Sequence, residues 1–206
     1  MNMNEQSRVI GVGPHPQPWP DGEWFDQELL AAGDTRNVAD KYRYWSIDAI
    51  KADMAHHAIP LHIAIENWQH DSNIGTIVRT ANALNVSCVH VIGRRHWNRR
   101  GAMVTDRYLS IEHHATVADF VAAIGEQSII AVDNVPGAHI LSTYTFPINA
   151  VLVFGGEGPG LSDELLKVSE ASVQIEQDGS TRSINVGVAA GIVMYQWAYQ
   201  HKMLSK

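Results

Sequence analysis

Short apolar segments alternate with helix-like ones from residue 61 onward, and this alternation constrains the fold more than any other feature of the chain. Strands are predicted over five apolar runs: 61–66, 87–92, 128–133, 151–154 and 172–175. Helices are predicted over 73–84, 117–125, 162–168 and 185–203. Such alternation favours an α/β fold, a parallel sheet with helices on both faces. Ligands of such sheets bind beyond the carboxyl ends of the strands, so the loops that follow the strands are the expected site.

The first 60 residues follow a different pattern. Residues 13–24, GPHPQPWPDGEW, are rich in proline, glycine and tryptophan, which predicts an extended arm. Residues 37–57 are predicted to be helical, because apolar residues recur there at helical spacing. We therefore predict a partly helical N-terminal extension over residues 1–60 and a second region over residues 61–206.

Composition excludes several classes of protein. Cys88 is the single cysteine, so no internal disulfide can form, which agrees with a reducing compartment such as the cytoplasm. The longest apolar run, 186–195, is too short to span a bilayer, so no membrane contact is predicted. The histidine pairs at 56–57 and 113–114 point apart on a helix or strand, and no Cys/His spacing matches a zinc site, so no metal is predicted. The net charge of −7 argues against non-specific coating of nucleic acid.

The predicted helix that begins at Asn73 carries an arginine on its polar side. Its sequence is NIGTIVRTANAL, and its apolar residues form one stripe. At about 100° per residue, Arg79 lies opposite that stripe, beside small residues. It is either an ordinary solvated arginine or one presented to a ligand or a partner subunit, and the periodicity alone leaves both open.

A glycine-rich loop follows the predicted strand 151–154. Its sequence, GGEGPGLS, has four glycines and one proline within six residues, which predicts a tight turn with exposed backbone amides. The turn is either structural or ligand-binding, and Glu157 within it is either a partner of the next helix dipole or a group of the site. The loop lacks the Lys-Ser/Thr pair of a P-loop and the glycine spacing of a dinucleotide fingerprint, which disfavours a nucleotide-dependent oxidoreductase.

Ser183 and Asn185 stand where the last predicted helix begins. Each is either a helix cap or a group that hydrogen-bonds a ligand. The helix is apolar nearly all round at its start, and Gly187 and Gly191 permit close backbone contact. An all-round apolar helix is buried, which indicates packing on the sheet and against a second surface such as a subunit interface.

The three stretches in this order resemble the three motifs of the SpoU/TrmH family of RNA 2′-O-ribose methyltransferases, in the SPOUT superfamily. The matching patterns are N-x-G-x-x-x-R-x-A-x-A from Asn73, F-G-G-E-G-x-G-L-S from Phe154 and S-I-N-V-x-V-A-A from Ser183. The resemblance covers residues 61–203. The departures from the family pattern are Asn85 for Gly, Gly156 for Ser or Ala, Glu176 for Pro and Gly187 for Ser. None removes a residue of the expected chemistry, although Gly187 leaves no hydroxyl at its position.

The resemblance implies a fold, a cofactor and an assembly. The fold would be a parallel sheet whose C-terminal segment forms a trefoil knot, and the chain would act as a homodimer with the site at the subunit interface. The cofactor would be S-adenosyl-L-methionine, held in the knot loops largely through backbone groups. The cofactor-binding residues would be Phe154, Gly155, Gly156, Gly158, Ile175 and Ile184.

The resemblance also assigns catalytic roles. Arg79 would be the catalytic arginine, either as general base or as the group that holds the RNA phosphate and stabilises the developing alkoxide. The second role is physically at least as acceptable, because a guanidinium stays protonated in proteins. Asn73, Ser183 and Asn185 would orient the ribose or Arg79, and Glu157 would position its loop.

Five arginines cluster after the second predicted strand of the family region. They are Arg94, Arg95, Arg99, Arg100 and Arg107. Within the resemblance they form an RNA-backbone contact surface; otherwise they are solvated charges paired with acids such as Asp106 and Glu112. The expected function is methyl transfer to tRNA or rRNA, and the alternative is a catalytically silent RNA-binding dimer. The N-terminal extension would serve as an RNA-binding arm or a dimer arm.

Overall fold

The chain divides into two compact units, residues 1–56 and residues 57–206. The structure is a computed structural model that describes residues 11–68, 73–156 and 160–204. Each unit has its own hydrogen-bonded framework and is described by itself. Within the described residues, no helix is long and apolar enough to cross a membrane.

The first unit has two helices, α1 (Gln27–Ala32) and α2 (Ile47–His56), and a 3₁₀ turn at Asp40–Tyr42. The predicted helix over 37–57 is wrong in its first half, because Tyr44 has a φ of 64°, a left-handed conformation that a helix cannot contain. Helix α1 was not predicted. Residues 13–24 contain neither helix nor strand, but they are fixed to the unit, since the Tyr44 hydroxyl donates to the carbonyl of Gly13 at 2.6 Å.

A buried carboxylate organises the first unit. Asp34 is fully buried and accepts hydrogen bonds from the Arg36 guanidinium at 2.7 and 2.8 Å and from the backbone N–H groups of Arg36 and Tyr44 at 3.0 Å. Burial acting alone would raise the pKa of Asp34, but these hydrogen bonds outweigh it and lower the pKa to about 2. The carboxylate therefore joins the loop after α1 to the turn that precedes α2.

In its described residues, the second unit has a seven-stranded sheet, four α-helices and two 3₁₀ turns, at Arg99–Ala102 and Thr105–Arg107. Its strands are β1 (Ile59–Asn67), β2 (Val86–Gly93), β3 (Ile111–His114), β4 (Ser128–Val132), β5 (His139–Ile140), β6 (Ala150–Phe154) and β7 (Ala171–Gln174). Its helices are α3 (Asn73–Leu84), α4 (Val117–Ile124), α5 (Asp163–Val168) and α6 (Val186–Gln200). The strand order is β3-β2-β1-β6-β4-β7-β5, and every pair is parallel, which confirms the predicted α/β fold.

The sequence pattern missed β3 and β5 and extended the last helix to residue 203 instead of Gln200. Both missed strands lie at edges of the sheet, and β3 reads IEHH, so neither carries the apolar run of a buried strand. Strands β1, β2, β4 and β6 are mostly buried, as expected for strands that helices cover on both faces, whereas β7 is only half-buried.

The two faces of the sheet carry different helices. Helices α4 and α5 share one core with the sheet, in which Phe120 and Leu165 pack against Ala131 and Val153. Connections between parallel strands are right-handed as a rule. The connection from β1 to β2, which contains α3, and the connection from β3 to β4, which contains α4, run in opposite directions along the sheet. Helix α3 therefore lies on the face opposite α4, where it packs against α6.

Three histidines lie on the α4 side of β1, β2 and β3: His90 and His114 are buried, and His62 is half-buried. His90 and His114 lie against the Phe120 ring, and His62 stacks on His90. Burial lowers the pKa of His90 to about 3 and also lowers the pKa values of His62 and His114.

The Asp34 network makes the stability of the first unit depend on pH. The folded pKa of about 2 lies below the unfolded value of 3.8, so the stabilisation is complete above pH 4 and is lost as the pH falls towards 2. The linked free energy is about 2 kcal/mol. We expect Asp34→Asn to remove this pH dependence and to destabilise residues 11–56 at neutral pH. Hydrogen exchange of those amides measures both effects, and the exposed Asp48→Asn is the control; equal protection in the two variants would contradict the prediction.

Candidate functional site

The loops that follow β4, β6 and β7 enclose a cleft of about 460 Å³ at the carboxyl edge of the sheet. These three strands are neighbours in the order β6-β4-β7, so their carboxyl ends lie side by side. The cleft brings together seven predicted site residues: Phe154, Gly155, Gly156, Ile175, Ser183, Ile184 and Asn185. Glu157 and Gly158 were also predicted, and they lie outside the described residues.

The glycine loop turns back on itself so tightly that only glycine fits at its start. A Cβ atom built on Gly155 would lie 2.2 Å from the carbonyl carbon of Gly160 and 2.5 Å from the backbone nitrogen of Leu161. Gly156 and Gly160 form an antiparallel bridge, and Gly160 has a φ of 72°. Gly155, Gly156 and Gly160 therefore present backbone instead of side chains to the cleft.

Two carboxylates fix the far end of this loop. Glu66 is fully buried at the end of β1 and accepts hydrogen bonds from the Ser162 backbone N–H at 2.7 Å and the Ser162 hydroxyl at 2.6 Å. Asp133 follows β4 and accepts a hydrogen bond from the Leu161 backbone N–H at 2.9 Å. Sequence reasoning missed both residues, although each is an acidic residue at the carboxyl end of a predicted strand.

A pair of asparagines joins the cleft to helix α3. The Asn185 side-chain oxygen caps α6, accepting from the N–H groups of Gly187 at 3.0 Å and Val188 at 3.3 Å. Its amide nitrogen donates to the Asn73 side-chain oxygen at 3.0 Å. Asn185 therefore caps a helix and also joins the first and third motifs, whereas Ser183 is exposed and lines the cleft.

Arg79 is not among the described residues that line the cleft of its own chain. It is exposed on the outer side of α3. Helix α6 packs closely against α3: a Cβ atom built on Gly187 would lie only 3.1 Å from the methyl group of Thr76, one turn before Arg79. A serine at position 187 would crowd this contact, which gives the departure from the family pattern a packing reason.

Helix α6 is buried on one side only. Its inner side includes Met194 and Trp197, both fully buried. Its outer side carries an exposed apolar stripe at helical spacing: Val188, Ile192, Tyr195 and Tyr199. A stripe of this kind on a helix next to Arg79 is typical of a protein–protein contact.

All five clustered arginines are exposed. Their segment packs on the first turn of α3, where a Cβ atom on Gly75 would lie 2.8 Å from the Gly101 Cα. The predicted alternative of solvated ion pairs holds for Arg99, whose guanidinium lies 3.3 Å from the Asp106 carboxylate. Glu112, the other acid considered, lies instead beside two buried histidines.

Comparison with known proteins places the second unit in a family. A model described as the SpoU rRNA Methylase family matches residues 60–195. A tRNA (guanosine(18)-2′-O)-methyltransferase of Escherichia coli (strain K12) is 25% identical over 141 residues, which are 66% of this chain and 62% of that protein. This chain thus spans less than two thirds of the length of the first curated relatives it matches.

Solved structures share the fold. One that gives insights into the 2-OH methylation of C/U34 on tRNA matches with a TM-score of 0.62 and 25% identity, over 69% of this chain and 96% of that one. An AdoMet-bound rRNA methyltransferase from Sinorhizobium meliloti matches with a TM-score of 0.62 and 24% identity, over 70% of this chain and 57% of that one. The second match supports the fold alone.

The Glu66 carboxylate is expected to stabilise the glycine loop. Glu66→Gln keeps the shape of the buried side chain but replaces one acceptor oxygen with an N–H₂ group, so a donor of Ser162 or Trp68 loses its acceptor. We expect the free energy of unfolding to fall by about 1–3 kcal/mol. Urea denaturation measures this change, with the exposed Glu126→Gln as the control. Equal stability of the two variants would show that Glu66 does not hold the loop.

Proposed function

The chain belongs to the SpoU rRNA methylase family, and we propose that it transfers the methyl group of S-adenosyl-L-methionine to a ribose 2′-hydroxyl of tRNA or rRNA. The observation that carries the proposal is the meeting of the second and third motifs in one cleft, with Asn73 of the first motif hydrogen-bonded to its rim. The E. coli relative, named for 2′-O-methylation of guanosine 18 in tRNA, supports the choice of reaction.

The cleft residues fit the proposed cofactor. A volume of about 460 Å³ lies within the range of small-molecule sites. The side-chain-free wall at Gly155 and Gly156 leaves backbone groups to bind polar atoms, while Ile175 and Ile184 offer apolar surface to an aromatic base. When bound, the cofactor supplies a methyl group activated by the attached sulfonium.

The residues of the chain would supply alignment and charge stabilisation. They would align the ribose 2′-hydroxyl with the methyl group that a bound cofactor would supply; the cofactor would leave as its neutral thioether, and the hydroxyl proton would pass to water in the open cleft. Ser183 and Asn185 line the cleft and are placed to orient the ribose. The Arg79 guanidinium remains protonated, so we assign it to the RNA phosphate and to the developing alkoxide, not to proton removal.

Arg79 would act in the cleft of a partner subunit. It is exposed, it is not among the described residues lining its own cleft, and its helix packs against α6, which carries the exposed apolar stripe. A homodimer that buries this stripe would carry Arg79 to the other chain. The proposed interface therefore consists of Arg79 on α3 and of Val188, Ile192, Tyr195 and Tyr199 on α6.

The five arginines would form the RNA surface. They are exposed, and their segment packs on the same helix that carries Asn73 and Arg79. Lys and Arg contacts to phosphates bind RNA without reading its sequence, so the arginines would hold the substrate while the cleft selects the nucleotide. Residues 11–56 would act as an additional RNA-binding or dimer arm.

We further propose that the protein is cytoplasmic. We also propose that the loops around the cleft form the family's trefoil knot. Two hydrogen bonds join these loops: the Leu161 backbone N–H donates to the Asp133 carboxylate, and the Asn134 side-chain amide donates to the carbonyl of Arg182 at 2.9 Å. Such mutual anchoring of the segments after β4, β6 and β7 is consistent with a threaded chain.

Two measurements test the proposed activity. Calorimetric titration with S-adenosyl-L-methionine should give one site per chain. Incubation with total cellular RNA and tritiated donor, followed by mapping of the labelled ribose, should identify the substrate. Binding without transfer to any RNA would favour the catalytically silent RNA-binding dimer, and absence of binding would overturn the proposal.

Removal of the Arg79 guanidinium should separate catalysis from cofactor binding. We expect Arg79→Ala to lower the rate of methyl transfer at least about a hundredfold, as the loss of a charge-stabilising donor does. The cofactor Kd should change little, because Arg79 lies outside the cofactor cleft of its own chain. Thr80→Ala on the same helix is the control, and near-normal transfer by Arg79→Ala would remove its assigned role.

A charge placed in the α6 stripe should break the proposed dimer. We expect Ile192→Asp to yield a monomer in light scattering and to lose methyl transfer, because the desolvated interface cannot accept an unpaired carboxylate. Ile148→Asp replaces an equally exposed isoleucine outside the stripe and should leave the dimer intact. A monomeric wild-type protein at micromolar concentration would contradict the assembly.

A further inference from the structure

A row of three imidazoles crosses the sheet away from the cleft and has no role in the proposed reaction. His62 Nδ1 lies 2.9 Å from His90 Nε2, and His90 Nδ1 lies 2.9 Å from His114 Nε2. The three residues come from β1, β2 and β3, and Phe120 of α4 packs against two of them. Glu112 precedes His114 by two residues on β3, so both side chains lie on the same face.

The geometry points to a divalent-metal site at His90, Glu112 and His114, and we propose that these residues bind Zn²⁺. His90 Nδ1 and His114 Nε2 lie 3.7 and 3.9 Å from the same Glu112 oxygen, Oε2, and 2.9 Å from each other. A triangle with these sides has its centre about 2.1 Å from every corner, which is the length of zinc bonds to imidazole nitrogen and carboxylate oxygen.

The burial of the three ligands is that of a built site with an entrance. The side chains of His90 and His114 are 3% and 8% exposed, whereas that of Glu112 is 53% exposed. The imidazoles are therefore held in place by the core, and the carboxylate can close over an ion that arrives from solvent. Two histidines and one carboxylate are also a ligand set that zinc accepts. At the present distances the ion would lie in the plane of the three ligand atoms, and movement of the exposed Glu112 carboxylate towards the two imidazoles would make the site tetrahedral, with a fourth position for water.

His62 and Gln127, on the side of His90 away from Glu112, would orient His90 as a metal ligand. A metal on Nδ1 of His90 leaves its Nε2–H to donate to His62 Nδ1, and His62 Nε2–H then faces the side-chain amide of Gln127 at 3.2 Å. The Gln127 Oε1 atom is buried and has no hydrogen-bond partner within the described part of the chain. Exchanging the amide oxygen and nitrogen, which are chosen by their hydrogen bonds, would place that oxygen against the His62 donor.

Another set of ligands lies on the opposite side of His90. His62, Cys88 and His90 also bring one ligand atom each within 4.8 Å of one another. Cys88 is buried and its thiol faces the Ser110 hydroxyl at 3.9 Å, so this set lacks the exposed ligand that the first set has. The structure therefore favours the site that contains Glu112.

The ion would link two strands that bracket the clustered arginines. Strand β2 ends at Gly93 and β3 begins at Ile111, so the segment 94–110 starts and finishes next to the site. A metal bound across His90 and His114 would cross-link these strands and stabilise the base of that segment.

Zinc titration of the full-length protein tests the site. After removal of metals with a chelator, competition with a chromophoric chelator should show one Zn²⁺ bound per chain, and bound zinc should raise the Tm. Glu112→Gln should weaken binding at least about tenfold and should reduce the rise in Tm accordingly. Because Glu112 is half exposed, this variant is expected to fold. The exposed Glu126→Gln should bind zinc as the wild type does.

Cobalt distinguishes the two sides of His90. Co²⁺ in the proposed site should show only d–d bands, whereas thiolate ligation would add an intense sulfur-to-metal charge-transfer band in the near ultraviolet. Cys88→Ser should leave zinc affinity unchanged. The proposal is overturned if the wild type binds no zinc, if Glu112→Gln binds as tightly as the wild type, or if Cys88→Ser abolishes binding. In any of these cases the imidazole row is only a hydrogen-bonded element of the core.

Discussion

The cleft depends on the close approach of Gly155 to the backbone of Gly160 and Leu161. At 2.2 Å from the nearest carbonyl carbon, no Cβ atom can be placed there, so the loop closes only when residue 155 has no side chain. The turn is held at its far end by the buried Glu66 carboxylate and by Asp133. A loop of this kind has few side chains of its own to define a shape, and its geometry is imposed by the ends of β1 and β4.

Helices α3 and α6 position the other polar residues of the site. Their contact is close because Gly187 and Gly191 face Thr76 and Thr80. The contact lets Asn185 reach Asn73, and it leaves one outer side of each helix exposed, with Arg79 on α3 and the apolar stripe on α6. Sequence reasoning offered a cap or a ligand group for Asn185, and the structure assigns it the cap together with a link between two motifs. Arg79 is placed by the same packing on the side that a partner subunit would cover.

The parts of the fold that could be predicted are those whose signal is local. The stripe on α3 and the apolar runs of the central strands are read within a window of a dozen residues, and both are confirmed. The left-handed backbone at Tyr44 has no such signal, so helix α2, which begins after it at Ile47, was predicted to begin too early. Strand β3 was missed because an edge strand of sequence IEHH has neither an apolar run nor a clear alternation.

The candidate site shows the same difference between residues with a local sequence signal and residues that meet only in the fold. The glycine loop and the residues before α6 were found because motifs are local, and the rule that ligands bind after strands placed them at one edge. Glu66 and Asp133 stand at the same edge but were counted as strand ends. The row of His62, His90 and His114 could not be found by spacing, because its members are 28 and 24 residues apart and meet only when three strands pair.

The hydrogen bond between Asn73 and Asn185 spans 112 positions of the chain, and that between Glu66 and Ser162 spans 96. Contacts of such sequence separation form only after the entropy of closing very long loops has been overcome. The pocket is consequently absent from every partly assembled species that lacks the final helix. During synthesis, the chain must therefore leave the ribosome as far as helix α6 before the pocket can form.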